Sequence, residues 1–410
     1  MAQKRFSQLT SFFWHNAAVI GITMSTTLIF AFATLFLREE IHVSNFMVGV
    51  AVSLSHVISV VFSPLVGTMS DRARTPWGRR RPFLVVGAIL AGIFLFIMPH
   101  VYNYWLFLLV VSLFFVFSIG YQIPFYALIP EVAPEGQRGV YSTFTGLLRL
   151  AGAGIVMGVG GWLWAKSPAW PFNVTAIAVM LTAFITAASI REEPRRQLPH
   201  DEQIDIYRNF RRYISDLIAQ RQIFLFFSAQ FFWWMGLGAI LPFATIMLKE
   251  LYGIDISELL KVVPLVLLGG GIFVAAIVGA GIIGDKWGQQ RVIIIGLSLL
   301  VTGCLLAMTG RSLPVIYLAV FAAAIGASPI FTAPYAMLAD LIPAGREGEF
   351  YGLDTISITL SQVPAAILGG AIIDGFGYTA IFAFVSVCAV VAIVLMWRVG
   401  VPHQRLRSAS

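Results

Sequence analysis

The sequence is poor in charge. Asp, Glu, Lys and Arg make up 11% of its 410 residues, hydrophobic residues make up 58%, and the mean hydropathy is +0.85. A soluble domain is about one-quarter charged, so a water-facing fold cannot accommodate this composition, and the chain is read as an integral membrane protein. Cysteine is nearly absent. Cys304 and Cys388 both lie inside apolar runs, which excludes a disulfide framework or a cysteine metal site and leaves two small buried residues. No phosphate-binding glycine loop, nucleophile elbow or zinc-type histidine cluster occurs, so an ATP-driven pump or an intramembrane enzyme has no residues to perform its chemistry. The expectation is a protein that is not an enzyme, with no cofactor and no metal.

What the chain does have is long apolar runs, each able to cross about 30 Å of hydrocarbon as a helix, the only spanning form open to such segments. They fall at 11–37, 43–69, 83–99, 103–130, 138–165, 171–190, 222–248, 259–284, 291–309, 313–339, 349–373 and 377–397, twelve in all. The first begins behind Lys4 and Arg5 and lacks a small-residue cleavage site, so it is read as a retained helix. Of the Lys and Arg residues, 21 fall in one set of loops plus the termini and 5 in the other, namely Arg38, Lys166, Lys249, Lys261 and Arg311. Such a bias places both termini in the cytoplasm, with the plasma (inner) membrane as the expected location. It also accounts for the net charge of +7 without a nucleic-acid partner, anionic lipid headgroups being the natural neighbours.

The longest loop contains "DEQIDIYRNFRRYISDLIAQR", in which Tyr207, Phe210, Ile214, Leu217 and Ile218 recur at helical spacing. This predicts an amphipathic surface helix joining two six-helix bundles, with domains at 1–190 and 222–410 and the linker at 191–221. The halves echo each other. "GTMSDRARTPWGRRR" from Gly67 is followed 214 positions later by "GIIGDKWGQQR", matching Gly67, Asp71 and Arg72 to Gly281, Asp285 and Lys286. At an offset of 209, "YALIPEVAPEGQRGVYS" from Tyr126 matches "YAMLADLIPAGREGEFYG" from Tyr335, with Glu131 opposite Asp340. Parallel repeats of this kind suit a carrier whose two bundles open alternately to either side.

The pattern GxxxDRxxxxxGRRRP resembles the signature loop of the major facilitator superfamily. Its lengthened ending "WGRRRPF" and the later "LKELYG" at 248–253 resemble the branch that contains sucrose transporters and other glycoside:cation symporters. The resemblance implies an all-α integral membrane fold of twelve transmembrane helices in two pseudo-symmetric six-helix bundles. It implies a secondary active transporter, working by alternating access as a monomer. The loop then stabilises the outward-open state, a role the residues support on their own. Asp71 ends span two beside Arg72, Gly78, Arg79, Arg80 and Arg81, where charge-assisted hydrogen bonds can latch the inner mouth, and Gly67 allows close helix approach. Glu131 with Arg138, and Asp340 with Arg346, complete the two gates beside Gly281, Asp285 and Lys286.

Two charges lie away from loops and span ends. Arg149 stands eleven residues past Arg138, roughly 16 Å along a helix, near the membrane midplane. Asp354 lies in the cytoplasmic third of span eleven. Either they pair across the halves, or Arg149 bonds solute oxygens while Asp354 titrates. His56 is the sole histidine that deep and is, with Asp354 and Glu131, a candidate for proton coupling. The resemblance implies that spans one, four, seven and ten line the cavity. There Tyr121, Gln122, Gln230, Trp233, Trp234 and Tyr335, together with Arg149, are the candidate contacts for a small polar solute, a sugar or glycoside moved with H+. The sodium-coupled relatives carry aspartates on spans two and four that this chain lacks, which argues against a sodium site. Two other readings stay open: a carrier of an organic anion or drug-like compound, which Arg149 favours, and a non-transporting pigment or assembly protein on the same fold.

Overall fold

The computed structural model describes residues 2–132, 138–190, 220–253, 259–309, 313–342 and 347–400, which form helices and turns with no strand among them. Helix α1 (Ala2–Leu28) passes through a five-residue π turn, Ile29–Ala33, into α2 (Thr34–Glu39). Five further helices complete the first six passages: α3 (Asn45–Arg72), α4 (Arg81–Ile97), α5 (Tyr104–Val132), α6 (Arg138–Trp164) and α7 (Ala169–Ser189). The seventh passage is interrupted. It comprises α8 (Arg221–Ile240), a 3₁₀ turn at Leu241–Phe243 and α9 (Ala244–Tyr252). Then come α10 (Leu259–Trp287), α11 (Gln289–Thr309), α12 (Leu313–Ala327), a 3₁₀ turn at Ser328–Phe331, α13 (Ala333–Leu341), α14 (Glu347–Phe376) and α15 (Ala380–Trp397). Eleven passages among the described residues are long and apolar enough to cross a membrane, and α10 adds a twelfth continuous helix of 29 residues.

Local chemistry fixes where helices start and stop. Ser44 caps α3 by accepting the Met47 amide at 3.3 Å, and Asn103 Oδ1 accepts the Leu106 amide at 3.1 Å at the head of α5. Pro82 sits in the first turn of α4, where its missing N–H leaves nothing unpaired. Gly253, at φ 66°, closes α9 in the left-handed conformation with its N–H on the Lys249 carbonyl. Pro242 lies in the 3₁₀ turn where the seventh passage bends.

The helices form two compact units, Met1–Arg196 with Pro242–Val263, and Gln197–Leu241 with Pro264–Ser410. In the first, α1 packs on α6 and α7, and α4 on α5 and α7; in the second, α8 packs on α14 and α15, and α11 on α12 and α15. Each unit thus repeats one plan, with its first helix on its fifth and sixth and its third on its fourth and sixth. The first and seventh passages are the enclosed ones, 72% and 61% buried, against 33–44% for the other nine. Apolar side chains point outward elsewhere, among them Leu147, Ile177, Phe184, Leu318 and Val387. That exterior suits acyl chains.

Lipid is as apolar as leucine, so burying more leucine between helices gains little here, and backbone proximity and hydrogen bonds carry the packing. Both units use glycine at the same place. A Cβ on Gly87 of α4 would stand 2.8 Å from the Tyr121 nitrogen of α5, and one on Gly303 of α11 would stand 2.6 Å from the Ala323 nitrogen of α12. Backbone cannot yield there. Gly67 behaves differently: its added Cβ would meet Ile123 Cγ2 at 3.8 Å, and at Gly281 it would meet nothing within 4 Å. The close approach expected of Gly67 is therefore supplied by Gly87, one helix later, in this conformation.

Candidate functional site

The arginine-rich loop folds as a compact turn between α3 and α4. Thr75 receives the Trp77 amide at 3.3 Å and gives its hydroxyl to the Gly78 carbonyl at 2.6 Å, while Gly78 takes φ 109°. That turn delivers Arg80 inward. Its side chain is 8% exposed, and Nη2 and Nε donate to Asp71 Oδ1 at 2.7 and 3.2 Å while Nη1 donates to the Ala127 carbonyl of α5 at 2.5 Å. One guanidinium ties the end of α3, the start of α4 and the last third of α5. Asp71 is 54% exposed and Arg72 is exposed, while Gly78, Arg79 and Arg81 are partly buried. In the second repeat Asp285 accepts from Gln289 at 3.0 Å, one turn on, and Asp285, Lys286 and Asp340 are exposed. The side chains of Glu131 and Arg138, residue Arg346, and the linker at 191–219 lie outside the described residues.

Polar groups inside the first unit sit on α1, α3, α5 and α6. Tyr121 is fully buried, its hydroxyl 3.3 Å from Ser25 Oγ, and Gln122 donates to Ser118 Oγ at 2.6 Å. Arg149 is exposed halfway along α6, with Cζ 5.2 Å from the centre of the Tyr126 ring, a cation–π arrangement. His56 Nδ1 lies 3.1 Å from Ser55 Oγ, and its ring faces Phe30. Asn16 accepts the Thr145 hydroxyl at 2.8 Å and spans α1 to α6. At the far end of that passage, Thr245 of α9 donates to the Ala31 carbonyl in the π turn at 2.9 Å, and Lys249 pairs with Glu39 of α2.

The second unit holds the buried acid. Asp354 is 4% exposed and accepts from Gln230 Nε2 at 2.7 Å, while Gln230, 1% exposed, leaves its own Oε1 without a hydrogen bond. Four residues along α8, Trp234 meets Phe331 edge-on at 5.4 Å, and Phe331 meets Phe273 of α10 at 5.5 Å. Gln362 of α14 donates to the Trp234 carbonyl at 3.0 Å. Trp233 turns the other way, fully buried against Phe226 with its indole N–H unpartnered. Of the paired tryptophans, Trp234 is the half-buried one beside an aromatic group. Tyr335 is half exposed on α13 and feels the charge of Asp354. The structure therefore brings Gln230, Asp354 and Trp234 onto one stretch of α8. It places Arg149, Tyr121 and Gln122 in the other unit, and it adds Phe273, Phe331 and Gln362, which the sequence reading did not single out. With 33 phenylalanines in the chain, no sequence signal marks those two.

Twelve membrane-length helices in two units of repeated plan, a latched loop between the second and third, and a buried acid beside an aromatic platform define a multi-pass membrane transporter. The model of the family described as MFS/sugar transport protein matches residues 15–402, and the chain belongs to that family of the major facilitator superfamily. It is 26% identical over 386 residues to the multidrug resistance protein MdtG of Yersinia enterocolitica, a match covering 91% of this chain and 88% of that one. In fold it resembles the crystal structure of a D-xylose-proton symporter, with a TM-score of 0.74 at 16% identity over 96% of this chain and 98% of that one. A bacterial homologue of the human lysosomal transporter Spinster gives 0.73 at 13% identity, covering 96% of each chain.

Proposed function

We propose that the protein is a secondary transporter in the plasma membrane, both termini cytoplasmic, that moves a sugar or glycoside together with a proton by alternating access as a monomer. The observation that carries this reading is the Gln230–Asp354 bond, 2.7 Å long and fully enclosed, one helical turn from the Trp234–Phe331–Phe273 group. A carboxylate held by a neutral amide away from water is costly as an ion and can be discharged by one proton, which is what a coupling site needs. Edge-on aromatic rings next to amides match a sugar, whose CH face stacks while its hydroxyls bond. In the other unit Gln122 and the Arg149 guanidinium supply further donors. Asp71 and Arg80 are assigned to the inner gate.

Uptake into proteoliposomes under an imposed pH gradient tests it. Asp354→Asn is expected to abolish gradient-driven accumulation and to retain exchange of labelled for unlabelled sugar at equal concentration. Loss of both activities in a folded variant, or retention of both, overturns the coupling role. A thermal-shift panel of disaccharides, monosaccharides and organic acids at two pH values tests the solute class, because a ligand that binds the folded state raises its melting temperature. A second reading, a carrier of organic anions or drug-like compounds, is favoured by the exposed Arg149 and by the likeness to MdtG. Stabilisation by organic acids alone, lost in Arg149→Ala, would replace the sugar reading with that one.

A further inference from the structure

We propose that Gln230 reports the protonation state of Asp354 to the aromatic platform, acting as a positioning residue that turns its amide end for end when the proton binds. The inference rests on the coupling role given to Asp354 above. Two observations carry it. Gln230 Nε2 donates to Asp354 Oδ1, and the Gln230 Oε1 beside it is buried and has no hydrogen-bond partner, although the residue is only 1% exposed. A buried amide oxygen without a donor is costly, and a core with one fixed state would satisfy it.

The chemistry of the pair explains the vacancy. An ionised carboxylate only accepts, so it requires the amide's N–H end; a protonated carboxyl must donate, so it requires the oxygen end. Glutamine carries both. When H+ binds a carboxylate oxygen of Asp354, half a turn about the last bond of Gln230 lets Oε1 accept the new hydroxyl. Nε2 is then released to other acceptors. No apolar residue of that size does this, and no charged one does it without a counter-ion.

The geometry leads from that rotation to the solute. Trp234 follows Gln230 by four residues and so shares its face of α8. Its carbonyl takes the hydrogen bond from Gln362, which lies eight residues, about two turns, beyond Asp354 on α14. Two amide rungs therefore join the same faces of α8 and α14, one at the acid and one at the platform. Past the second rung the helices come close, a Cβ on Gly238 standing 3.0 Å from Ala365 Cβ. A change at the first rung is felt at the second through rigid helix. The titratable groups on the packed elements are few among the described residues: Tyr335 on α13, within electrostatic reach of Asp354; Cys388 on α15, against Gly236; and Arg221 and Arg398 at helix ends.

The test needs no solute, only protons. Tryptophan emission of the purified transporter is titrated with pH, and the Trp234 signal is taken as the difference from Trp234→Phe. The wild-type protein is expected to show a pH-dependent Trp234 signal that Asp354→Asn abolishes. Gln230→Leu is expected to abolish it too while Asp354 remains. Gln230→Glu, nearly isosteric, is expected to restore a transition whose midpoint is displaced by about one pH unit or more, since two carboxyls then share the site. A signal unchanged by Asp354→Asn brings down the coupling role itself. If Asp354→Asn silences the signal and Gln230→Leu leaves it intact, the inference about Gln230 falls alone. Should Gln230→Leu fail to fold, Gln230→Glu decides, and a midpoint equal to wild type refutes the proposal.

Discussion

Replacing Arg80 by alanine is expected to destabilise the first unit more than replacing Asp71, although the motif gives the aspartate the leading place. Nη1 of Arg80 reaches a main-chain carbonyl of α5 from a side chain that is 8% exposed, and a charge-assisted bond of this kind is worth about 1.5–3 kcal/mol. The Asp71 carboxylate is 54% exposed, so its bonds to Arg80 are discounted for solvent to roughly 0.5–1 kcal/mol. Asp71→Ala should therefore cost about 1 kcal/mol or less, because water takes the vacated position and the tie to Ala127 survives. Arg80→Ala removes both attachments and should cost about 2–4 kcal/mol, a factor of roughly 30 to 1000 in the unfolding equilibrium. Arg80→Lys should fall between them, since an ammonium cannot reach two acceptors as a planar fork does. Reversible unfolding in mixed detergent micelles, followed by circular dichroism, measures all three. Asp71→Ala matching or exceeding Arg80→Ala would refute the reasoning, and so would an Arg80→Ala protein as stable as wild type.

Other substitutions probe the rest of the architecture. Gly303→Ala would place a methyl group 2.6 Å from the Ala323 nitrogen and should lower stability by about 1–3 kcal/mol, whereas Gly67→Ala, with its nearest neighbour at 3.8 Å, should be close to neutral; melting curves compare them. Trp234→Ala should raise the KM for the transported sugar about tenfold and Trp234→Phe much less, while Trp233→Phe should lower stability and leave KM alone. Thr245→Val keeps shape but loses the bond to Ala31, and should cost about 1 kcal/mol in the same unfolding assay. The single charge reversal Glu39→Lys should reduce yield or stability slightly, and adding Lys249→Glu should restore it; a double variant worse than either single would mean that the two side chains do not interact.

Much of the fold was legible because a bilayer leaves the backbone so few options. Run length alone sets the number of passages, since every peptide group in hydrocarbon must bond within its own helix. Breaks inside passages are harder to read. Pro242 pointed to the bend in the seventh, but nothing in "LIFAFATL" announces a π turn in the first. Site residues divide along the same line. Asp354 and Arg149 stood out as charges in apolar surroundings, which is a property of sequence; the partner of Asp354 did not, because Gln230 lies 124 positions away and only helix packing joins them. Trp233 and Trp234 are indistinguishable neighbours on paper, and a 100° step around α8 sends one into the core and the other to Phe331. Arg80 was one arginine among five, singled out by a turn at Gly78 that aims it inward.

The widened turn at Ile29–Ala33 makes the end of the first passage depend on residue count and not only on residue type. Excising a single amino acid there would let ordinary winding resume and swing everything downstream by about 100°. Glu39 would then be carried around the shaft away from Lys249, and Ala31 would be withdrawn from Thr245. Side-chain exchanges in this stretch leave that indexing intact; a one-codon deletion would not.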